Sequence, residues 1–383
     1  VAASPGGPGP QAAVMVLGAT PIQMGWLGLA GSLPNLLFGL VAGVWVDRSQ
    51  RRPLLIGADL GRALLLGTIP LAAWLGTVTF VHLWVVTFLA GTFTVFFQIA
   101  AIAVLPAIVS PKQLVEANSK LSLSDSVVAI AGPGLAGGLV QIVSAPKAVV
   151  VDALSYLASA VALRGVRVAE AAPVAAQKRF FHEVGEGVHE LVRTPLLRLL
   201  TLTSTLGMLA GSLQSTVQML YFVNELQFSA AVIGVMLACS GIGSLAGAAA
   251  AGWLAGRLHT GSTLVFGKLL WIMGSLLIVV AGNVVHGSVA VAAGLVLIGL
   301  GMSIYFVNQL SLRQVVTSVH LLGRVTAARR FVLFGVAALG ALAGGFLGET
   351  IGLQATLLVA AAALTAELGL LLFTPLRRAQ VGT

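Results

Sequence analysis

The sequence predicts an all-α membrane protein of two six-helix bundles. Three observations carry that prediction. Of 383 residues, 58% are hydrophobic and only 9% are charged. Apolar runs of spanning length recur from one end of the chain to the other. The second half also repeats features of the first. A soluble domain carries about 25% charged residues. With a mean hydropathy of +1.01, this chain has too little polar surface to cover its bulk in water, and lipid is the solvent that suits it.

A spanning helix needs about 20 apolar residues. By that measure the spans expected are 24–46, 54–75, 81–105, 122–143, 147–163, 196–222, 230–255, 263–281, 287–310, 326–348 and 353–373, eleven in all. Most are rich in Gly and Ala. These are poor choices for an isolated helix in the case of Gly, but small residues let helix backbones approach closely in a membrane. Residues 164–195 form the one long polar stretch. It reads as a cytoplasmic linker with a short amphipathic helix, whose apolar face is Phe180, Phe181, Val184, Val188, Leu191 and Val192. The expected organisation is an N-terminal bundle over 1–163, the linker, and a C-terminal bundle over 196–383.

Charge sets the orientation. If the hinge after span 24–46 is cytoplasmic, the alternate loops are too. Those loops and their flanks hold nearly every cation, among them Arg48, Arg51, Arg52, Lys112, Lys120, Lys178, Arg179, Arg257, Arg313, Arg324, Arg377 and Arg378. The opposite loops hold only Lys147. This is the positive-inside pattern. It accounts for a net charge of +9 without any nucleic-acid partner.

With that orientation, span 24–46 starts outside. The apolar stub Ala12–Leu17 is too short to cross, lacks the features of a signal peptide, and follows a first residue that is Val. The expectation is that a further spanning helix precedes it and that Ala12–Leu17 is a remnant of its outer end. Twelve spans would then place both termini in the cytoplasm. Internal repetition supports six plus six. An offset of 209 residues carries Gly43 onto Gly252 and Arg48 onto Arg257; an offset of 208 carries Gly132 onto Gly340 and Gly137 onto Gly345. Parallel six-helix repeats are a transporter architecture.

The stretch "GLVAGVWVDRSQRRP" resembles the signature between the second and third helices of the major facilitator superfamily, G-x-x-x-D-R-x-G-R-R. Gly43, Asp47, Arg48, Arg51 and Arg52 match it, with Ser49-Gln50 in place of the usual small residue and glycine. "AIAGPGLAGG" resembles that family's antiporter motif through Gly132, Pro133, Gly137 and Gly138, with one extra residue before the glycine pair. The similarity runs from about Met15 to Phe373 and is nearest the branch of drug antiporters and enterobactin exporters. It implies the major facilitator fold and a conformational latch built on Asp47 and its arginines. It also implies export, and a cavity lined by the first, fourth, seventh and tenth helices. The same arginines also serve topology, and the same glycines also suit a generic packing seam.

Ionisable residues inside spans are functional candidates by default. Asp59 and Arg62, three apart on one face, are expected to pair and support the latch. Asp152 and Asp125 are the proton-coupling candidates. Lys268, at the repeat position of Asp59, is expected to snorkel to the cytoplasm. Glu367 is expected to face away from the central cavity. Polar and aromatic stripes give the cavity candidates: Phe93, Phe97 and Gln98; Gln214, Gln218 and Tyr221; Tyr305, Asn308 and Gln309. A mostly apolar cavity with a few hydrogen-bonding groups suits an amphiphilic substrate.

"GSTLVFGKLL" is one residue too long for a phosphate loop and has no Ser or Thr after Lys268. No metal-ligand spacing, cofactor motif or nucleophile elbow appears, and the single Cys239 excludes a disulfide framework. The expectation is a monomeric, proton-coupled exporter of a small amphiphilic molecule, not an enzyme, in a bacterial inner membrane. A lipid or siderophore flippase, or a receptor or subunit derived from the fold, remains open from sequence.

Overall fold

A computed structural model describes residues 17–39, 49–108, 145–165, 180–284, 286–318 and 321–374, with Val14, Ala42, Trp45, Val46 and Leu376. Among these residues the protein is all-helical. In chain order the helices are α1 (Pro21–Phe38), α2 (Arg51–Trp74), α3 (Phe80–Ile108), α4 (Ala145–Gly165), α5 (Phe180–Arg193), α6 (Pro195–Leu220), α7 (Ala230–Arg257), α8 (Thr260–Val280), α9 (Gly287–Val316), α10 (Leu322–Thr350) and α11 (Leu353–Phe373). A π-helical turn, Tyr221–Glu225, prolongs α6.

Nine of these helices, α2–α4 and α6–α11, are long and apolar enough to cross a membrane. The expected eleven are therefore met by nine on the described residues. α1 occupies the start of the expected span 24–46 and is followed only to its C-cap at Gly39. The expected span 122–143 lies outside the described residues.

Local chemistry places the helix starts. Thr20 and Gln23 form a reciprocal capping box ahead of α1, with Pro21 in the first turn; these groups satisfy donors that the helix leaves open. Ser229 accepts from the Val232 amide at the start of α7. Gly352, at φ 88°, makes the left-handed turn between α10 and α11 that a side chain would resist.

The repeat seen in sequence is present in the helices themselves. An offset of 209 takes the start of α1 to that of α7 and the start of α2 to that of α8; 208 takes both ends of α4 onto those of α11. Packing repeats as well: α2 lies on α3 and α4, and α8 lies on α9 and α11. The two sets meet where α1 crosses α10.

Small residues make the seams. A Cβ on Gly299 of α9 would fall 2.1 Å from the Ser240 carbonyl oxygen of α7, and one on Gly301 would fall 2.4 Å from the Gly267 carbonyl oxygen of α8. Such contact needs bare backbone on both helices and replaces the hydrophobic drive that lipid cannot supply. Large apolar side chains such as Leu64, Trp74, Val161 and Phe346 instead face outward.

The amphipathic helix predicted in the linker is α5. It docks on α10 and α6. Glu186 pairs with Arg324, Gly187 abuts the Arg324 carbonyl, and Leu191 is buried against Leu197, Val325 and Ala328. Val188 and Val192, predicted on the buried face, are exposed. The close approach at Gly187 rotates the helix so that this pair points away from the bundle.

Candidate functional site

A cavity of about 340 Å³ opens within the second helix set, among α6, α7, α8, α9 and Leu333 of α10. Its wall is mainly apolar. Gln214, Gln218, Ser204, Ser212, Ser215 and Ser240 supply the polar points. Gln214 Oε1 accepts from Ser275 Oγ at 3.1 Å, while its Nε2 donates to Gln218 Oε1 at 3.3 Å. Lys268 is the one basic side chain in the wall, flanked by Trp271 and Tyr305.

This lysine also belongs to an ion pair with no water access. Lys268 Nζ of α8 is 2.7 Å from Glu367 Oε2 of α11, and both side chains are 0% exposed. The Tyr305 hydroxyl approaches the same carboxylate. The Lys268 ammonium lies 4.1 Å from the Trp271 ring centre and 4.2 Å from that of Tyr305. Two π faces therefore flank the charge, and both rings also line the cavity. Gly207 of α6 leaves room for the acid: a Cβ there would be 2.7 Å from Glu367 Oε2.

A hydroxyl network continues from this pair. Tyr305 Oη donates to Thr203 Oγ1 at 3.4 Å. Ser204 Oγ accepts from Gln309 Nε2 at 2.7 Å and from Arg329 at 2.6 Å. The predicted snorkelling of Lys268 is thus corrected. The ammonium turns inward because a carboxylate and two ring faces await it there.

The first helix set holds a cluster at the repeat position. Asp59 and Arg62, one turn apart on α2, form a buried ion pair. The Arg62 guanidinium is sandwiched at 4.4 Å from both the Phe97 and Tyr156 ring centres. Phe93 of α3 packs against Gly61 of α2. Asp152, on α4, has a buried Oδ2 with no hydrogen-bond partner. Arg52 reaches the end of α4, donating from Nε to the Leu163 carbonyl at 3.2 Å and from its terminal nitrogen to the Arg164 carbonyl. These carbonyls are open at a helix C-terminus, where a cation is favoured.

Of the predicted cavity residues, Gln214, Gln218 and Tyr305 line the cavity. Gln309 lies behind it on Ser204. Asn308 is buried and donates to the Ile304 and Ala251 carbonyls. Tyr221 is buried in the π turn, its hydroxyl donating to the Val279 carbonyl at 3.1 Å. Phe93, Phe97 and Gln98 belong to α3, in the other helix set. Arg51 opens α2. Gly43, Asp47, Arg48, Asp125, Gly132, Pro133, Gly137 and Gly138 lie outside the described residues.

Sequence reasoning missed the Lys268–Glu367 pair because its partners are on helices far apart in the chain. A signal was present. Lys268 falls on Asp59 at an offset of 209, Trp271 falls on Arg62 at the same offset, and Tyr305 falls on Phe97 at 208. An ionic and aromatic cluster in one repeat marks the place to look in the other.

The profile of the Major Facilitator Superfamily matches residues 9–338 and, in a second match, 220–382. An uncharacterised MFS-type transporter of Sinorhizobium fredii is 28% identical, over 80% of this chain and 75% of that protein. Macrolide efflux protein A of Enterococcus faecalis is 27% identical over 48% of this chain and 57% of that protein. Among solved structures, a bacterial homologue of the iron transporter ferroportin in an inward-facing state superposes with a TM-score of 0.75 at 17% identity, over 95% of this chain and 92% of the other. A nucleoside transporter superposes with the same TM-score at 12% identity, over 96% and 94%.

Proposed function

Because this chain belongs to the Major Facilitator Superfamily and is a multi-pass membrane transporter rather than an enzyme, we propose that it exports a small amphiphilic molecule by alternating access, driven by protons. The observation that carries this reading is the cavity. It combines an apolar wall with a few hydroxyl and amide groups, as an amphiphile requires. The macrolide efflux relative supports export.

In this reading residues 1–163 and 196–383 are the two rocking bundles, with 164–195 as the cytoplasmic linker. The charged ends, including Arg51, Arg52 and Arg324, face the cytoplasm, as does the C-terminus. The protein acts as a monomer in a bacterial inner membrane. The hinge residues Gly43, Asp47, Arg48, Arg51 and Arg52, with Asp59 and Arg62, serve as the latch. Gly132, Pro133, Gly137 and Gly138 serve as the antiporter motif. Asp152 and Asp125 are acids available to the coupling proton.

The backbones of α1 and α10 meet at Gly25 and Gly345, whereas toward the other end Arg330 donates to Asn35 Oδ1 at 3.0 Å. With the proposed orientation, the tight end is the outer one. A substrate would then load from the cytoplasm.

The test is proton movement in inverted vesicles bearing the full chain, challenged with macrolides, cationic dyes, hydrophobic drugs and catecholate siderophores. Proton release from the vesicle on adding one of these, together with its uptake, is the expected result. Uptake with no accompanying proton movement would overturn the coupling. Absence of any flux would overturn export.

A further inference from the structure

We propose that Glu367 is a proton-exchanging group of the transport cycle, with Lys268 as its counter-ion and the Trp271 and Tyr305 rings as the shutter between them and the cavity. The proposal rests on the proton-driven reading above and moves the exchange into the second helix set.

The pair is poorly explained as a structural brace. Two buried charges lose their hydration, and apolar residues of similar volume are often as stabilising or more so. A brace would at least fill its hydrogen-bonding capacity. Here the Lys268 ammonium, with three donors to place, has the Glu367 carboxylate as its only polar contact among the described residues and otherwise faces ring carbons. An under-satisfied polar group is expensive away from water. The surroundings nevertheless make room for it, since Gly207 leaves out the one methyl group that would strike both carboxylate oxygens, at 2.7 and 3.2 Å.

The pair is also placed to respond to the cavity. Lys268, Trp271 and Tyr305 all line the cavity, while the Glu367 and Lys268 side chains have no water-accessible surface. In this proposal the rings are the barrier, since both ring centres lie within 4.2 Å of the ammonium. A ligand that packs against either ring can shift it, and water then reaches the pair.

The proton balance is simple. Water in the cavity delivers a proton, a new O–H bond forms on Glu367, and the ion pair ends. Lys268 stays an ammonium and the site gains one positive charge. Release on the opposite side restores the carboxylate and re-forms the pair.

Few other ionisable groups intervene. Lys268 faces Glu367 from α8 and Tyr305 approaches from α9. α6 presents Gly207. From α10, Arg329 is held one hydrogen bond away on Ser204, with Arg313 of α9 beside it.

The test uses the full chain in liposomes and two readouts. The first is the infrared band of a protonated carboxyl group, followed as pH is lowered without any ligand. The second is transport of erythromycin, as exchange across the membrane and as accumulation driven by a pH gradient. The expected result is a titrating band that disappears in Glu367→Gln, whose exchange persists while driven accumulation falls at least about tenfold. In Trp271→Leu, which keeps the pair, deuterium should enter the band at least about tenfold faster.

A band unchanged by Glu367→Gln overturns the proposal, as does driven accumulation at the wild-type level in that variant. If Glu367→Gln does not insert, unchanged deuterium entry in Trp271→Leu overturns it instead. A Glu367-dependent band without gradient-driven movement of any probe upholds the proton site and removes the proposed export.

Discussion

Gly25 of α1 and Gly345 of α10 meet backbone to backbone: a Cβ on Gly345 would lie 2.9 Å from the Gly25 Cα and 2.7 Å from the Pro21 carbonyl oxygen. Neither clash can be relieved by turning a flexible side chain, because both obstacles are main chain.

Gly345→Leu is therefore expected to hold the two helix sets apart at this end. Transport should fall about tenfold or more, with the fold retained. Spin labels placed across the start of α1 and the end of α10, on a background in which Cys239 is replaced, should report a longer distance than in the wild type. An unchanged distance would show that the crossing does not close the protein.

Arg62→Ala leaves Asp59 buried with its partner removed. Breaking a buried pair in this way costs about 3–5 kcal/mol, and the guanidinium's stacking on Phe97 and Tyr156 is lost as well. The double variant Asp59→Leu with Arg62→Met removes both charges and should recover most of that loss. Thermal melting in detergent separates the outcomes. Equal destabilisation in single and double variants would mean that the charge pair is not what holds α2.

Arg52→Ala should lower stability by about 1 kcal/mol, the ordinary value of a hydrogen-bonding contribution. The guanidinium caps two carbonyls at the end of α4. Lys offers no planar fork, so Arg52→Lys should restore only part of the effect. A melting temperature equal to the wild type in Arg52→Ala would show that the cap contributes nothing to the folded state.

Gly207→Ala adds the methyl group for which the Glu367 carboxylate leaves no space. Overpacking of this kind costs about 1–3 kcal/mol. Gly207→Ala combined with Glu367→Ala relieves the crowding, so its melting temperature should lie above that of Glu367→Ala plus the single-variant loss. Simple additivity would mean that the two residues do not press on each other.

Much of the fold was legible because lipid imposes a coarse rule. Length and hydropathy placed every described spanning helix, with ends off by at most six residues. The linker helix was legible from its apolar face, but its rotation was not, because the approach of Gly187 to the Arg324 carbonyl depends on a neighbour 137 residues away. The Asp59–Arg62 pair was readable for the opposite reason, since residues three apart on one helix share a face. Lys268 and Glu367 each looked dispensable alone. A lone lysine near a helix end suggests snorkelling, and a lone acid on the last span suggests a peripheral position. Only the packing of α8 on α11 joins them. The stripe of Gln214, Gln218 and Tyr221 was two-thirds informative. Its helical period continues to Tyr221, but the π turn at Tyr221–Glu225 redirects that side chain toward Val279.

The joining of Lys268 to Glu367 also decides what the transmembrane voltage can act upon. Held together, the two side chains present no net charge to the field. α8 and α11 can then tilt across the bilayer with no electrical work done on the pair. Once either partner is neutralised, one elementary charge remains. Voltage acts on it with about 2.3 kcal/mol for each 100 mV crossed, in proportion to the fraction of the field traversed. The electrical part of an ion gradient therefore acts on this seam only during steps in which the pair is unbalanced.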